Sequence, residues 1–297
     1  MPDIRLEGSA EQPFRRGLNF NLRRRHLDPH GFPMLIAQLS DIHVRPSGEL
    51  YKGLVDSNRM FLDAIEHLEQ LDQRPDLVMI TGDLVDDGDP REYRTVVDLL
   101  QTLTIPYLVL PGNHDRRDAL LHAFESHTYL PTTGPLNYCI DTYPLRIVAL
   151  DSCLRGKHEG ALEPSSLDWL QSTLAADRTK PTLIVLHHPP FVSGIPYLDT
   201  YRFIDHRPLE AIVSSCDNIE AVLCGHVHRP MFRRWAKTVV AACPSTTTQI
   251  ALQFQARASP KSYQGPASCL LHIWNPEHGL ISHVSYIGKY PGPYAFF

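Results

Sequence analysis

Five short stretches of this chain concentrate the side chains that bind metals or move protons. They are Asp41-Ile42-His43, Gly82-Asp83-Leu84-Val85-Asp86-Asp87-Gly88, Pro111-Gly112-Asn113-His114-Asp115, His187-His188-Pro189-Pro190 and Gly225-His226-Val227-His228. Imidazole and carboxylate together suit borderline divalent ions such as Zn, Mn, Fe and Co; an all-oxygen set would suit Ca or Mg, and thiolates softer ions. Asn113 adds an amide oxygen without adding charge. Each stretch alone is ambiguous, because a single His or Asp at a strand end commonly caps or braces a loop. Five in one chain, each closing an apolar run, point to a shared metal site. Two cations about 3.5–4 Å apart repel each other, so a bridging carboxylate and a bridging hydroxide are expected between them.

The elements that must position these residues are legible as alternating apolar runs and amphipathic segments. Leu35–Leu39, Leu77–Thr81, Tyr107–Leu110, Arg146–Leu150, Thr182–Leu186 and Ala221–Cys224 read as strands. Ser57–Leu71 reads as a helix with Ser57 as its cap, and Ser165–Leu174 as another with Leu167, Leu170 and Leu174 inward. Asp89-Pro90-Arg91-Glu92 is a helix start: Asp caps, Pro takes the first turn and Glu sits three residues past the cap. After Arg229 the chain is mostly β, with strands at Thr238–Ala242, Ser268–Trp274 and Leu280–Ile287. This order implies a layered α/β domain, in which ligands gather beyond the carboxyl ends of strands. If the chain stays extended past the first strand, Asp41 and His43 project to one side.

The 297 residues, 43% hydrophobic and 21% charged, can bury a sizeable core. No apolar run reaches the ~18–20 residues of a membrane span, and the first 33 residues hold no apolar signal core, so a cytoplasmic protein is expected. The net charge of −5 lacks the basic balance of a nucleic-acid binder. Six cysteines without a Cys-x-x-Cys pair read as reduced core residues. Residues 1–33, with Arg15, Arg16, Arg23, Arg24 and Arg25 among prolines and acids, read as a flexible extension or as sequence upstream of a start near Met34. A basic arm for an anionic partner is the alternative. Residues 34–297 form the functional domain.

The order D-x-H, G-D, G-N-H-D, H-H-P-P, G-H-x-H resembles the calcineurin-like metallophosphoesterase superfamily, over essentially Met34 to the C-terminus. Leu50-Tyr51-Lys52-Gly53 with Val55-Asp56-Ser57-Asn58, Pro266-Ala267-Ser268-Cys269-Leu270 and Tyr290-Pro291-Gly292-Pro293-Tyr294 resemble its bacterial class III cyclic-nucleotide phosphodiesterases, in their glycerophosphodiesterase branch. The resemblance implies a four-layer α/β/β/α sandwich with a β-rich C-terminal part. It implies two divalent metal ions (Mn, Fe, Zn or Co): Asp41, His43 and His228 at the first, Asn113, His187 and His226 at the second, Asp83 bridging. His188 is then a packing or supporting residue. His114 would contact the phosphate or help the leaving group depart, with Asp86 orienting it through a hydrogen bond; a plain turn residue is the other reading of Asp86.

The activity so implied is hydrolysis of a small organic phosphodiester, cyclic nucleotide or glycerophosphodiester, through a metal-bridging hydroxide. Asp87 and Asp115 stand where protein phosphatases of the superfamily carry Arg and Glu, which disfavours that branch. A monoesterase or nuclease of the same superfamily is the alternative. A non-enzymatic scaffold is disfavoured by the complete ligand set, and a mono-zinc hydrolase is a further reading. Phe191–His206 is expected to overhang the site, offering Tyr197, Tyr201, Arg202 and His206, and Tyr51 is a similar candidate. The resemblance also implies a homo-oligomer, with the late β segment as its surface.

Overall fold

The computed structural model describes residues 34–296; the extension read at residues 1–33 lies outside the described residues. The chain first alternates through β1 (Met34–Leu39), α1 (Ser57–Glu69), β2 (Leu77–Thr81), α2 (Pro90–Leu100), β3 (Tyr107–Leu110) and α3 (Arg117–Ala123). A second run follows: β4 (Tyr138–Ile140), β5 (Arg146–Leu150), α4 (Pro164–Ala176), β6 (Thr182–Leu186), α5 (Arg207–Ser214) and β7 (Ile219–Cys224). Strands finish it: β8 (Met231–Trp235), β9 (Thr238–Ala242), β10 (Gln249–Ile250), β11 (Ser262–Tyr263), β12 (Ser268–Asn275) and β13 (Gly279–Tyr286).

Two sheets organise these strands. The first runs β13-β12-β1-β2-β3, with β1, β2 and β3 parallel and β12 antiparallel to β1. The second runs β4-β5-β6-β7-β9-β8, with β5, β6, β7 and β9 parallel. Strands β1, β2, β5 and β6 are buried along their whole length, as parallel strands covered on both faces must be. Side-chain alternation then assigns the layers. Ile147, Ala149, Leu183, Val185, Ala221 and Leu223 pack into one core with the first sheet. Their neighbours Val148, Leu150, Ile184, Leu186 and Val222 pack with Leu170 and Leu174 of α4 and Leu209 and Val213 of α5. The first sheet's other face takes Phe61 and Leu68 of α1 and Val96 of α2. Helix, sheet, sheet, helix is the four-layer sandwich expected from the resemblance, with the β-rich C-terminal part extending both sheets.

Local chemistry matches most element boundaries. The capping box at Asp89 is present in full. The start of α1 corrects the reading of Ser57: the cap is Asp56, whose carboxylate accepts from the Arg59 amide, and Ser57 is the first helical residue. Leu167 is only partly buried, against Leu170 and Leu174. Helices α3 and α5, not read from the sequence, lack a side-chain cap, although α5 carries Pro208 in its first turn. Strand β8 escaped for another reason: it is an edge strand, with Phe232, Arg233 and Arg234 exposed, so its period-2 pattern is erased by charge. Among the described residues no helix is long and apolar enough to cross a membrane.

Candidate metal centre

The carboxyl ends of β1, β2, β3, β6 and β7 lie side by side, and every sequence-identified stretch leaves one of them. Main-chain bonds knit these ends: the amides of Asp41 and His43 donate to Gly82 and Asp83 carbonyls, each at 3.0 Å, and Gly225 N donates to His187 O at 2.9 Å. Gln38 joins the two sheets beneath, donating to Thr81 Oγ1 and to the Cys224 carbonyl. The expected extended course of Asp41-Ile42-His43 does not hold. Asp41, His43, Asp83, His226 and His228 all have positive φ, from 42° to 69°. Each such residue costs roughly 1–2 kcal/mol in the left-handed region, a strain that recurs at functional sites. The left-handed residues break the regular strand alternation after β1, β2 and β7, while the loops after β1 and β2 still run side by side to the Val44–Val85 bridge.

Close backbone approach is required as well. A Cβ at Gly112 would collide with the Asp83 carboxylate and amide, and one at Gly225 with Ser40 Oγ and with Asp41 Oδ2, 2.9 Å away. Glycine at these positions lets the loops stack tightly enough for their side chains to meet.

The side chains converge. Asp83 Oδ2 lies 3.3 Å from His187 Nε2 and 3.8 Å from His43 Nε2. Asp41 Oδ1 lies 3.4 Å from His228 Nε2 and 3.9 Å from His187 Nε2. Asn113 Oδ1 lies 2.9 Å from His226 Nδ1 and 3.2 Å from His187 Nε2. His43 Nε2 faces His228 Nε2 at 3.2 Å. Asp41 and His187 are wholly buried at the floor, while His43, Asp83, Asn113, His114, His226 and His228 line a cavity of about 390 Å³ above them.

Hydrogen bonds on the far side of three rings orient them. His187 Nδ1–H donates to Thr81 O at 2.8 Å, His228 Nδ1–H to Thr248 O at 2.9 Å, and His226 Nε2–H to Tyr201 O at 3.0 Å. His43 Nδ1 has no hydrogen-bond partner among the described residues, and the Asp86 carboxylate stands 3.6 Å from it. The Asn113 amide nitrogen meets His158 Nδ1 at 3.0 Å, turning the amide oxygen inward. The inner surface is therefore made of ring nitrogens and oxygens facing one another. His226 Nδ1 against Asn113 Oδ1 at 2.9 Å and His228 Nε2 against Asp41 Oδ1 at 3.4 Å set acceptor against acceptor, and a cation between them resolves the conflict. The donor set, imidazole nitrogen with carboxylate and amide oxygen, fits divalent ions.

Electrostatics agree. Burial, then the neighbouring His187 and His228, pushes His226 down to about 3, and burial takes His228 to about 4, so both keep a free lone pair. Burial opposes charge on His187, yet Asp83 and Asp41 carry it up to about 9: two buried carboxylates pull for positive charge between them. Burial also opposes the Asp83 carboxylate, which His187, His114 and His43 hold well below its ordinary range.

Other expected residues take the following places. His188 spends both ring nitrogens, on Ser152 Oγ and on the His158 carbonyl, and packs edge-on against His187. His114 points into the cavity, but its orienting bond runs from Nδ1 to the main-chain carbonyl of Asp86. The Asp86 carboxylate stands 3.6 Å off, shared with His43 and with Arg45. The side-chain bond expected from Asp86 to His114 is thus a main-chain bond. Burial disfavours charge on His114, and Asp83, with the Asp86 carbonyl and carboxylate, overcomes it and raises its pKa. Tyr51, Tyr197 and Tyr201 line the cavity, and Tyr51 stacks on His43 with centroids 4.8 Å apart. Arg202 and His206 do not line it, and His206 pairs with Glu210 at the start of α5. His158, Lys52 and Lys261 also line the cavity. His158 carried no signal in sequence, since it follows no strand and adjoins no second ligand type that closes an apolar run.

Comparison with known proteins agrees with this geometry. The family model described as calcineurin-like phosphoesterase matches residues 34–230. The chain is 36% identical over 265 residues to a probable glycerophosphodiester phosphodiesterase, GpdQ, of Arcobacter nitrofigilis, covering 89% of this chain and 97% of that protein. It is 34% identical over 217 residues to a probable cyclic nucleotide phosphodiesterase of Synechococcus, covering 72% and 81%. Among solved structures it resembles a dimetal phosphatase from Danio rerio, with TM-score 0.62 and 14% identity over 86% of this chain and all of that one, a likeness of fold. The chain belongs to the calcineurin-like phosphoesterase family.

Proposed function

We propose that this protein is a two-metal phosphodiesterase acting on small organic phosphodiesters of the cyclic-nucleotide or glycerophosphodiester type. The observation that carries it is the ring of inward-facing imidazole nitrogens, held by outward bonds to Thr81, Tyr201 and Thr248 carbonyls and gathered with Asp41, Asp83 and Asn113 oxygens beneath a cavity sized for a small molecule. Asp41, His43 and His228 would hold one ion, Asn113, His187 and His226 the other, with Asp83 shared. Mn, Fe, Zn and Co all suit these donors. When bound, the ions supply Lewis-acid polarisation of the phosphoryl oxygens and acidify coordinated water.

The chain's own residues do the rest. The left-handed loops hold the ligands before substrate arrives, so little reorganisation is needed. His114, anchored through Nδ1 on the Asp86 carbonyl, keeps Nε2 toward the cavity, where it meets a phosphoryl oxygen or protonates the departing alkoxide. Tyr51 walls the His43 side and Tyr197 and Tyr201 the opposite loop. The relatives' names support the diester class.

We also propose a cytoplasmic homo-oligomer, a dimer or multiple of dimers, with residues 34–297 as the catalytic domain. Six unpaired cysteines support a reducing compartment, and edge strand β13 with exposed Ile281 and Tyr286 supports a contact surface. Light scattering tests the assembly.

The direct test is metal quantification on protein purified without chelators, with rates on bis(p-nitrophenyl) phosphate, cyclic AMP, glycerophosphoethanolamine, p-nitrophenyl phosphate and single-stranded DNA. Two equivalents of metal and preference for a small diester are expected. Faster turnover of the monoester or of DNA would replace the reading with a phosphatase or nuclease. One equivalent in an active enzyme would overturn the two-metal assignment.

A further inference from the structure

The cavity has a floor and a rim of unlike character. Asp83, at the floor, is the one carboxylate among its described lining residues. The rim carries Lys52 and Lys261, from two loops far apart in sequence. Both lysines are exposed, and among the described residues neither ammonium has an ion-pair partner. In a chain of net charge −5 with 33 acidic side chains, two uncompensated cations at one mouth stand against the general balance.

Lys52 is held in place. It sits at φ 50° in a turn closed by main-chain bonds between Tyr51 and Val55, at 2.8 and 3.0 Å. Its ammonium lies 5.0 Å from the centroid of the Tyr51 ring, which stacks 4.8 Å from His43. Those two spans place the ammonium no farther than about 10 Å from the His43 ring, within reach of a small diester bound there. Both lysines are exposed at the mouth while Asp41, His43, Asp83 and His187 are buried beneath it, so the ammoniums stand toward a group at the rim. Lys261 follows Pro260 at the base of the β10–β11 hairpin, its carbonyl accepting from the Ala251 amide at 2.8 Å, which fixes its backbone beside the cavity.

We propose that Lys52 and Lys261 bind a second anionic group of the substrate, a carboxylate or phosphate on the arm of the diester remote from the scissile bond. The inference rests on the diesterase reading and narrows its substrate class. Exposed ion pairs of this kind change affinity by roughly twofold to fivefold each, so the pair gives about tenfold.

The test compares 2-carboxyethyl p-nitrophenyl phosphate with propyl p-nitrophenyl phosphate, which differ in the anion and release the same p-nitrophenolate. The full-length, metal-loaded chain is expected to favour the carboxylate ester by about tenfold in kcat/KM at low ionic strength, with the ratio shrinking as salt rises. In the Lys52→Ala/Lys261→Ala double variant the ratio should fall toward one and lose its salt dependence. Lys52→Arg/Lys261→Arg should retain it, which guards against a general folding effect. Equal kcat/KM for both esters in the native chain, or an undiminished ratio in the alanine variant, overturns the proposal. Failure to hydrolyse either ester overturns the diesterase reading itself.

Discussion

Replacing Asn113 by alanine separates a metal site from a hydrogen-bonded loop. The Asn113 amide oxygen sits 2.9 Å from His226 Nδ1 and 3.2 Å from His187 Nε2. Without metal, His226, held down to about 3 with its Nε2–H on the Tyr201 carbonyl, presents a bare nitrogen to that oxygen, while His187, carried up to about 9, keeps an Nε2 proton that Asn113 shares with Asp83. The weak shared contact is opposed by the His226 lone pair, so with the exposed bond to His158 the amide adds about 1 kcal/mol net. Chelator-treated Asn113→Ala should therefore melt within roughly 2–4 °C of chelator-treated native protein. With metal, the variant leaves two imidazoles and the shared Asp83 to hold the second ion, and affinity there should fall by about 100-fold, near 2.7 kcal/mol. Isothermal titration with Mn or Zn, beside thermal denaturation with and without chelator, measures both quantities. Native affinity for two equivalents would remove Asn113 from the metal set. A fall of 10 °C or more in the chelator-treated variant would mean the amide is structural and the lone-pair reading is mistaken.

Gly225→Ala puts a methyl into Ser40 Oγ and within 2.9 Å of Asp41 Oδ2 and Thr81 O, so overpacking of about 1–3 kcal/mol and weaker metal binding are expected; an unchanged melting temperature and metal affinity would show that the strand ends have slack. His127 bears on acid stability away from the site, among Tyr107, Phe124 and Tyr129. Burial lowers it to about 4, so its neutral form is favoured in the folded state; that stability is fully present above the unfolded value near 6.5 and is lost as pH falls toward 4. Between pH 7 and pH 5 the native chain should lose about 2 kcal/mol that His127→Gln does not, read as the difference in urea midpoints; parallel losses in both proteins would contradict it.

The candidate metal-binding stretches and the strands that bring them together were readable from residue order, because each strand is a short apolar run and each stretch follows one directly. Covered parallel strands such as Thr182–Leu186 have no polar alternation to blur, so their carboxyl ends were located to the residue, while β1 and β7 begin earlier than read, at Met34 and Ile219. Short elements were not readable: α3 and α5 span only about two turns, too short for a helical period to stand out, and the exposed edge β8 carries Arg233 and Arg234 where a buried strand would carry apolar residues.

Within the site, side-chain identity alone established that a divalent metal could be held here. Folding decided how. The groups that orient His187, His226 and His228 are carbonyls of Thr81, Tyr201 and Thr248, and every residue has a carbonyl, so no pattern of residue types reveals which three will serve. The positive φ angles at Asp41, His43, Asp83, His226 and His228 lie in a region that Asp and His enter more readily than most residues, but which of the chain's many Asp and His residues adopt it is not written in their identity. Lys52 and Lys261 share a cavity mouth because the turn after β1 and the hairpin before β12 flank the same end of two strands paired antiparallel in one sheet, a relation that linear order does not contain.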